Sequence, residues 1–254
     1  IRRLKALVEE RYGFENIIGK SKKMLDIMER VAKAAETDSS VCIQGESGTG
    51  KELIAKSLHL LSSRKDRPFV AVNCAAIPEG LLEGELFGYE KGAFTGAIKS
   101  KKGFFSQAHG GTIFLDEVSE MSESMQAKLL RVLQEKQFYP LGGEKPVDVD
   151  VRILTATNKN LEEEVKTGRF REDLFYRIYV IPISLPPLRE RKEDIPLLVD
   201  HFIKKYDSRM KKGVKGISMS TLQKFLAYSW PGNVRELENT IEYALAMSAK
   251  DVID

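Results

Sequence analysis

The sequence is poor in the residues that mark several common classes of protein. Its two cysteines, Cys42 and Cys74, stand in apolar runs without metal-ligand spacing. That excludes a disulfide framework and leaves reduced core thiols of a cytoplasmic protein as the expectation. Three histidines, His59, His109 and His201, are scattered along the chain and offer no metal centre. No apolar run approaches the roughly 18 residues of a membrane-crossing helix, and no signal peptide or lipidation motif is seen, so no membrane contact is expected. Internal repeats and low-complexity tracts are missing too. So is an excess of one charge: 40 basic and 37 acidic residues leave a net +3, too balanced for nucleic acid to be the main partner.

What remains is an ordinary globular composition, 42% apolar and 30% charged over 254 residues, enough for one large domain with a small satellite. Residues 1–10, "IRRLKALVEE", space Leu4, Leu7 and Val8 like a short amphipathic helix closed by Gly13. The start at Ile1 and the ending "AKDVID" read as those of a fragment. Ser21 is placed to cap a helix whose apolar face carries Met24, Ile27, Met28 and Val31. Then "VCIQG", "FVAVN", "TIFLD", "VRILTATN" and "VIPIS" alternate with helical stretches. Each reads as a strand buried on both faces, which predicts an α/β fold with a mostly parallel sheet. The alternation stops at "SLPPLRERKEDIP". Beyond it the chain reads as wholly helical, over about 193–210, 219–228 and 232–248, with Pro231 at the opening of the last helix. The expected division is a linker helix over 1–13, an α/β subdomain over 14–185 and a helical lid over 186–254.

"GESGTGKE", from Gly45 to Glu52, lies between the strand "VCIQ" and the helix "LIAKSLHLL", the setting of a phosphate-binding loop. Gly45, Gly48 and Gly50 let the backbone around Glu46, Ser47 and Thr49 curl so that its N–H groups face a phosphate. The helix N-terminus adds partial positive charge and Lys51 a full one. The Ser or Thr expected after the lysine to bind Mg²⁺ is replaced by Glu52, which leaves the metal's ligands open. A second strand, "GTIFLDE", ends in an acidic pair. Asp116 is placed to hold Mg²⁺ and Glu117 to polarise an attacking water, which separates a hydrolase from a transferase that must exclude water. The strand "VRILTATN" ends in Thr155 and Asn158, which read equally as γ-phosphate contacts or as a polar turn.

A further stretch, "GYEKGAFTGA" at residues 88–97, sets one large apolar side chain, Phe94, among glycines that hold it poorly. Together, "GESGTGKE", "GAFTGA" and "GTIFLDE" resemble the central AAA+ ATPase domain of sigma-54-dependent bacterial transcription activators, the NtrC-like group, from about Asn16 to residue 248. "GAFTGA" is the most specific element, and Glu52 is usual in this group. The resemblance implies a P-loop fold with a five-stranded parallel sheet between helices and a C-terminal helical lid. It implies subunits assembled into a hexamer or heptamer ring, with ATP and Mg²⁺ between neighbours. It also implies transcription activation within a two-component system, and contact with DNA through a C-terminal domain outside this sequence.

The resemblance also assigns roles. Arg171 and Arg177 in "GRFREDLFYRI" match arginine fingers that enter the neighbour's site. By spacing alone Asp173 and Arg177, four apart, read as a surface pair. Arg235 in "WPGNVREL" matches a lid arginine that senses nucleotide, and Asn73 matches the residue that holds the glutamate, here Glu117, in a switch. Ile17, Ile18 and Gly19 match the adenine seat and otherwise read as ordinary core. Gly92, Ala93, Phe94, Thr95, Gly96 and Ala97 match the loop that touches the sigma-54 factor of RNA polymerase, and 138–150, "FYPLGGEKPVDVD", resembles the second surface loop. Three alternatives stay in play. A P-loop kinase would yield a phosphorylated acceptor, and a nucleotide-gated scaffold would release no phosphate. An AAA+ ATPase acting directly on DNA would show salt-dependent DNA binding.

Overall fold

The computed structural model describes residues 17–248 and 251–254; the expected linker helix over 1–13 lies outside them. By contact the chain forms two compact units. One gathers the described residues up to Glu29, Gly45–Leu53 and Ser184–Asp254; the other gathers Arg30–Gln44 and Ile54–Ile183. The phosphate turn therefore groups with the C-terminal helices rather than with the sheet.

Helix α1 (Lys22–Ala35) starts as its sequence predicts: Ser21 Oγ accepts the Met24 N–H at 3.3 Å, satisfying one of the donors a helix start leaves open. Strand β1 (Val41–Gln44) runs into the phosphate turn and helix α2 (Lys51–Leu60). Next come β2 (Phe69–Asn73), α3 (Glu79–Phe87), β3 (Thr112–Asp116) and α4 (Glu123–Glu135). They are followed by β4 (Arg152–Thr157), α5 (Glu172–Ile178) and β5 (Ile181–Ser184). The five strands form a parallel sheet in the order β2-β3-β4-β1-β5. Register sets Asn73 beside Asp116, Leu115 beside Thr155 and Gln44 beside Thr157, so the polar strand ends share one edge of the sheet, where open α/β folds place their ligands.

Burial corrects one expectation. β3 and β4 are buried almost throughout, but β2 is largely half-exposed or exposed and β5 alternates. Both are edge strands, and only central strands need be apolar on both faces. The core of this unit joins Leu86, Phe105, Ile113, Leu115, Leu129 and Ile153 with their neighbours. Cys42 and Cys74 are free thiols within it, and burial pushes their pKa values up to about 11 and about 12.

The C-terminal helices are α6 (Ile195–Met210), α7 (Met219–Ala227) and α8 (Asn233–Met247). They pack Leu198, Phe202, Trp230, Leu237 and Ile241 into a core of their own. Two details differ from the sequence reading. Pro231 precedes the N-cap, Gly232, instead of opening the helix. The region is also not wholly helical, because Gly216–Ile217 pairs in parallel with Val252–Ile253.

Candidate nucleotide site and exposed loop

Gly48 and Gly50 carry φ of +78° and +106°, the left-handed region that favours glycine. At Gly48 the space is closed as well: a Cβ there would fall 2.3 Å from the Gly232 carbonyl oxygen. The turn ends as α2 begins at Lys51, a buried lysine whose Nζ donates to the Gly45 carbonyl at 2.9 Å. Glu46, grouped in the sequence with the phosphate contacts, carries its carboxylate elsewhere. It accepts both arms of Arg189, at 2.6 and 2.8 Å, and the Asn233 amide at 3.1 Å. Arg189 first, then Asn233, holds the Glu46 pKa down to about 2. A carboxylate lowered by folding adds stability above its unfolded value and loses it as the pH falls through the folded one. The Glu46 contact thus persists to pH values at which ordinary carboxylates are neutral.

Arg235 Nη1 donates to Ser47 Oγ at 3.4 Å, so the arginine matched to a nucleotide sensor reaches the phosphate turn. Thr49 is buried, and its carbonyl accepts Arg191 Nη2 at 3.0 Å. Glu52 stands exposed in the first turn of α2. Ile17 is buried, Ile18 packs against the C-terminal core, and a Cβ on Gly19 would meet Met24 at 3.1 Å. Buried Asp194 fixes this segment by accepting from Lys20 N, Ser21 N and Ser21 Oγ at 2.6, 2.8 and 2.7 Å.

At the sheet edge, Glu117 has φ +52°, an uncommon conformation for a non-glycine residue that concentrates at functional sites. Its Oε2 accepts the Asn158 N–H at 3.1 Å, and its own N–H donates to Asp116 Oδ1 at 3.0 Å. Asn73 Oδ1 serves its own turn, accepting from Ala75 N and Ala76 N at 3.0 and 3.1 Å. Thr155 is corrected: it is fully buried and its hydroxyl donates to the Val41 carbonyl at 3.4 Å, so it faces a neighbouring strand. Among the described residues no group of three or more His, Cys, Asp or Glu could hold a metal. An ion here would bring phosphate and water ligands with it, which suits Asp116 as a hard oxygen donor for Mg²⁺.

Arg171 occupies the N-cap position of α5 and grips Asp173, Nε to Oδ1 at 3.1 Å and Nη2 to Oδ2 at 2.7 Å. The surface pair predicted from spacing, Asp173 with Arg177, gives way to this bidentate one. Arg177 sits exposed in the last turn of the same helix.

In the loop at 88–97, Gly92 and Gly96 have φ of +88° and +107°. Gly92 N–H donates to the Ala97 carbonyl at 2.9 Å and Ala97 N–H to the Phe94 carbonyl at 3.0 Å. Ala97 is buried, and Gly92, Thr95 and Gly96 are exposed. Phe94 leans edge-on against Tyr89 at 5.0 Å and keeps 45% of its surface exposed, so it is not core. Ile98, missed in the sequence, is 77% exposed; its signal was an isoleucine between the glycine-rich motif and "KSKK". Ala93 abuts the second surface loop, where a Cβ on Gly142 would fall 2.9 Å from its own.

The family described as the Sigma-54 interaction domain matches residues 17–184, and the AAA+ ATPase lid domain matches residues 189–254. The chain belongs to the sigma-54 interaction-domain family. Within it, the nitrogen fixation protein AnfA of Azotobacter vinelandii is 54% identical over 252 residues, 99% of this chain and 47% of that protein. The regulatory protein AtoC of Escherichia coli strain K12 is 50% identical over 253 residues, 100% of this chain and 55% of AtoC. This chain therefore spans about half the length of the relatives it matches. NtrX from Brucella abortus, solved in complex with ATP, superposes with a TM-score of 0.85 at 40% identity, over 96% of this chain and 53% of that one. These matches agree with the AAA+ fold and helical lid that the sequence resemblance implied. Among the described residues no helix is long and apolar enough to cross a membrane.

Proposed function

We propose that this sigma-54 interaction domain hydrolyses Mg-ATP at the interfaces of a hexameric or heptameric ring and uses the cycle to remodel RNA polymerase bound to sigma-54 in the cytoplasm. The observation that carries the reading is the Asp116–Glu117 pair at the sheet edge, with Glu117 braced by the Asn158 N–H. Lys51 grips the β- and γ-phosphates, while the N–H groups of the turn from Gly45 to Glu52 cradle them. Asp116 would hold the metal, which when bound would supply charge neutralisation at the phosphate oxygens. Glu117 orients the water and takes its proton. Ile17, Ile18 and Gly19 seat the adenine, and Arg235 reads the nucleotide from the same subunit. Asn158 carries the state of the γ-phosphate to Glu117, and Asn73 takes hold of Glu117 in the alternate setting of the switch.

Arg171 and Arg177 complete the site of a neighbouring subunit, and each ion pair that Arg171 makes with Asp173 must open for it to do so. The loop from Gly92 to Ala97 then presents Phe94, with Ile98 widening the apolar tip, to sigma-54. Several copies in one ring multiply a weak contact. Residues 14–185 act as the ATPase part and 186–254 as its lid, while regulation and DNA binding belong to regions of a longer protein.

Trans-acting arginines make a direct prediction. Phosphate release per subunit is expected to rise with protein concentration, and a mixture of Lys51→Ala and Arg171→Ala chains, each inactive alone, is expected to regain activity. Turnover per subunit that stays flat across concentrations, with no rescue on mixing, contradicts the interface mechanism.

A further inference from the structure

Asn233 opens α8 with φ +52° and is fully buried. Few side chains other than Asn and Asp accept that backbone conformation. Its Oδ1 accepts the Leu188 N–H at 2.8 Å. Its Nδ2 donates to the Ser47 carbonyl at 3.0 Å, to Glu46 Oε2 at 3.1 Å and, at longer range, to the Pro231 carbonyl at 3.4 Å. The next residue, Val234, donates its N–H to the Gly48 carbonyl at 3.0 Å. Two consecutive residues at a helix start thus hold three consecutive residues of the phosphate turn, Glu46, Ser47 and Gly48. Arg189 also secures the first of them through its bidentate pair with Glu46.

The chemistry required at 233 is narrow. The side chain must accept at one end and donate twice at the other, and it must tolerate a left-handed backbone. Aspartate meets the backbone condition and the acceptor, but it has no donor for Ser47 or Glu46. Two residues along the helix, Arg235 reaches Ser47 Oγ, so whatever sets the start of α8 also sets that arginine. We infer that Asn233 is a positioning residue for ATP turnover, fixing the curl of the phosphate turn and the place of Arg235 against it, with Glu46 as its counterpart. The inference rests on the ATPase reading above and adds a residue that the phosphate-loop motif does not contain.

Asn233→Asp sets a carboxylate against the Ser47 carbonyl and the Glu46 carboxylate. It is expected to weaken ATP binding about tenfold or more, the effect of leaving buried polar groups unpaired, and to lower kcat/KM in step. Adding Glu46→Gln supplies an amide that can donate to the introduced carboxylate, so the double variant is expected to recover part of the loss. Each chain is measured by equilibrium binding of ATP, by phosphate release and by the thermal midpoint without nucleotide. A purely structural role would lower the midpoint of both single variants, leave the affinity of the folded fraction unchanged and make the double variant worse than either. If Asn233→Asp does not fold, Asn233→Gly is read in its place; it keeps the backbone conformation, removes all the side-chain bonds and is expected to weaken ATP several-fold. Wild-type affinity in the folded variant, or a double variant no better than Asn233→Asp, overturns the inference. A wild-type chain that neither binds nor hydrolyses ATP instead overturns the ATPase reading.

Discussion

Replacing Glu117 with glutamine is expected to lower the rate of ATP hydrolysis by about 10²- to 10⁴-fold, the usual contribution of a positioned general base, while ATP binds within a few-fold of wild type. The two effects separate because of where Glu117 sits. Its side chain meets the Asn158 N–H at 3.1 Å through one oxygen, and a glutamine carbonyl can accept the same bond. Its backbone at φ +52° is strained to a similar degree with either side chain, so the turn should survive. What is lost is the second function of a carboxylate, taking a proton from water. Phosphate release and equilibrium nucleotide binding, measured on the same preparation, decide the matter. Near-normal turnover would remove Glu117 from the chemistry and leave Asp116 to be explained as a metal ligand alone.

Phe94→Ala is expected to abolish detectable binding to sigma-54 in the presence of a transition-state mimic while leaving ATPase activity within about twofold. A buried aromatic at the centre of an interface is commonly worth 2 kcal/mol or more, about thirtyfold in affinity, and a ring applies that loss at every engaged loop. Folding should suffer little, because the ring is 45% exposed and rests edge-on against Tyr89 at 5.0 Å. Co-migration with purified sigma-54 tests this. Undiminished binding would mean that the apolar tip is not the contact.

Much of this arrangement was legible in the chain. A strand that runs into "GESGTGK" and then a helix specifies its turn locally, because positive φ at Gly48 and Gly50 is written in residue type. Ser21, at the start of α1, is local in the same way. What escaped the sequence depends on partners far along the chain. "FVAVN" and "VIPIS" look as apolar as the central strands, yet strand order puts them at the edges. Thr155 alternates with apolar residues in a manner that suits either face, and the neighbouring Val41 carbonyl takes its hydroxyl. Spacing of four favoured Asp173 with Arg177, but the shorter reach from the cap residue Arg171 prevails. Asn233 carried a signal in "WPGN", where an asparagine follows Pro-Gly at a helix start. Its bonds to Leu188, Ser47 and Glu46 could not be read from those four residues.

The central claim is that nucleotide chemistry moves the loop around Phe94, and a distance measured between two spin labels tests it most directly. Cys42 and Cys74 are buried with raised pKa values of about 11 and about 12, so labels can be directed to Thr95→Cys and to Lys166→Cys, both exposed in the sheet-bearing unit. Pulsed dipolar spectroscopy would compare the chain without nucleotide, with ADP and with an ATP transition-state mimic. The account predicts a distance distribution for the mimic that differs from that with ADP and reverts on hydrolysis or release. One unchanged distribution in all three conditions would contradict it.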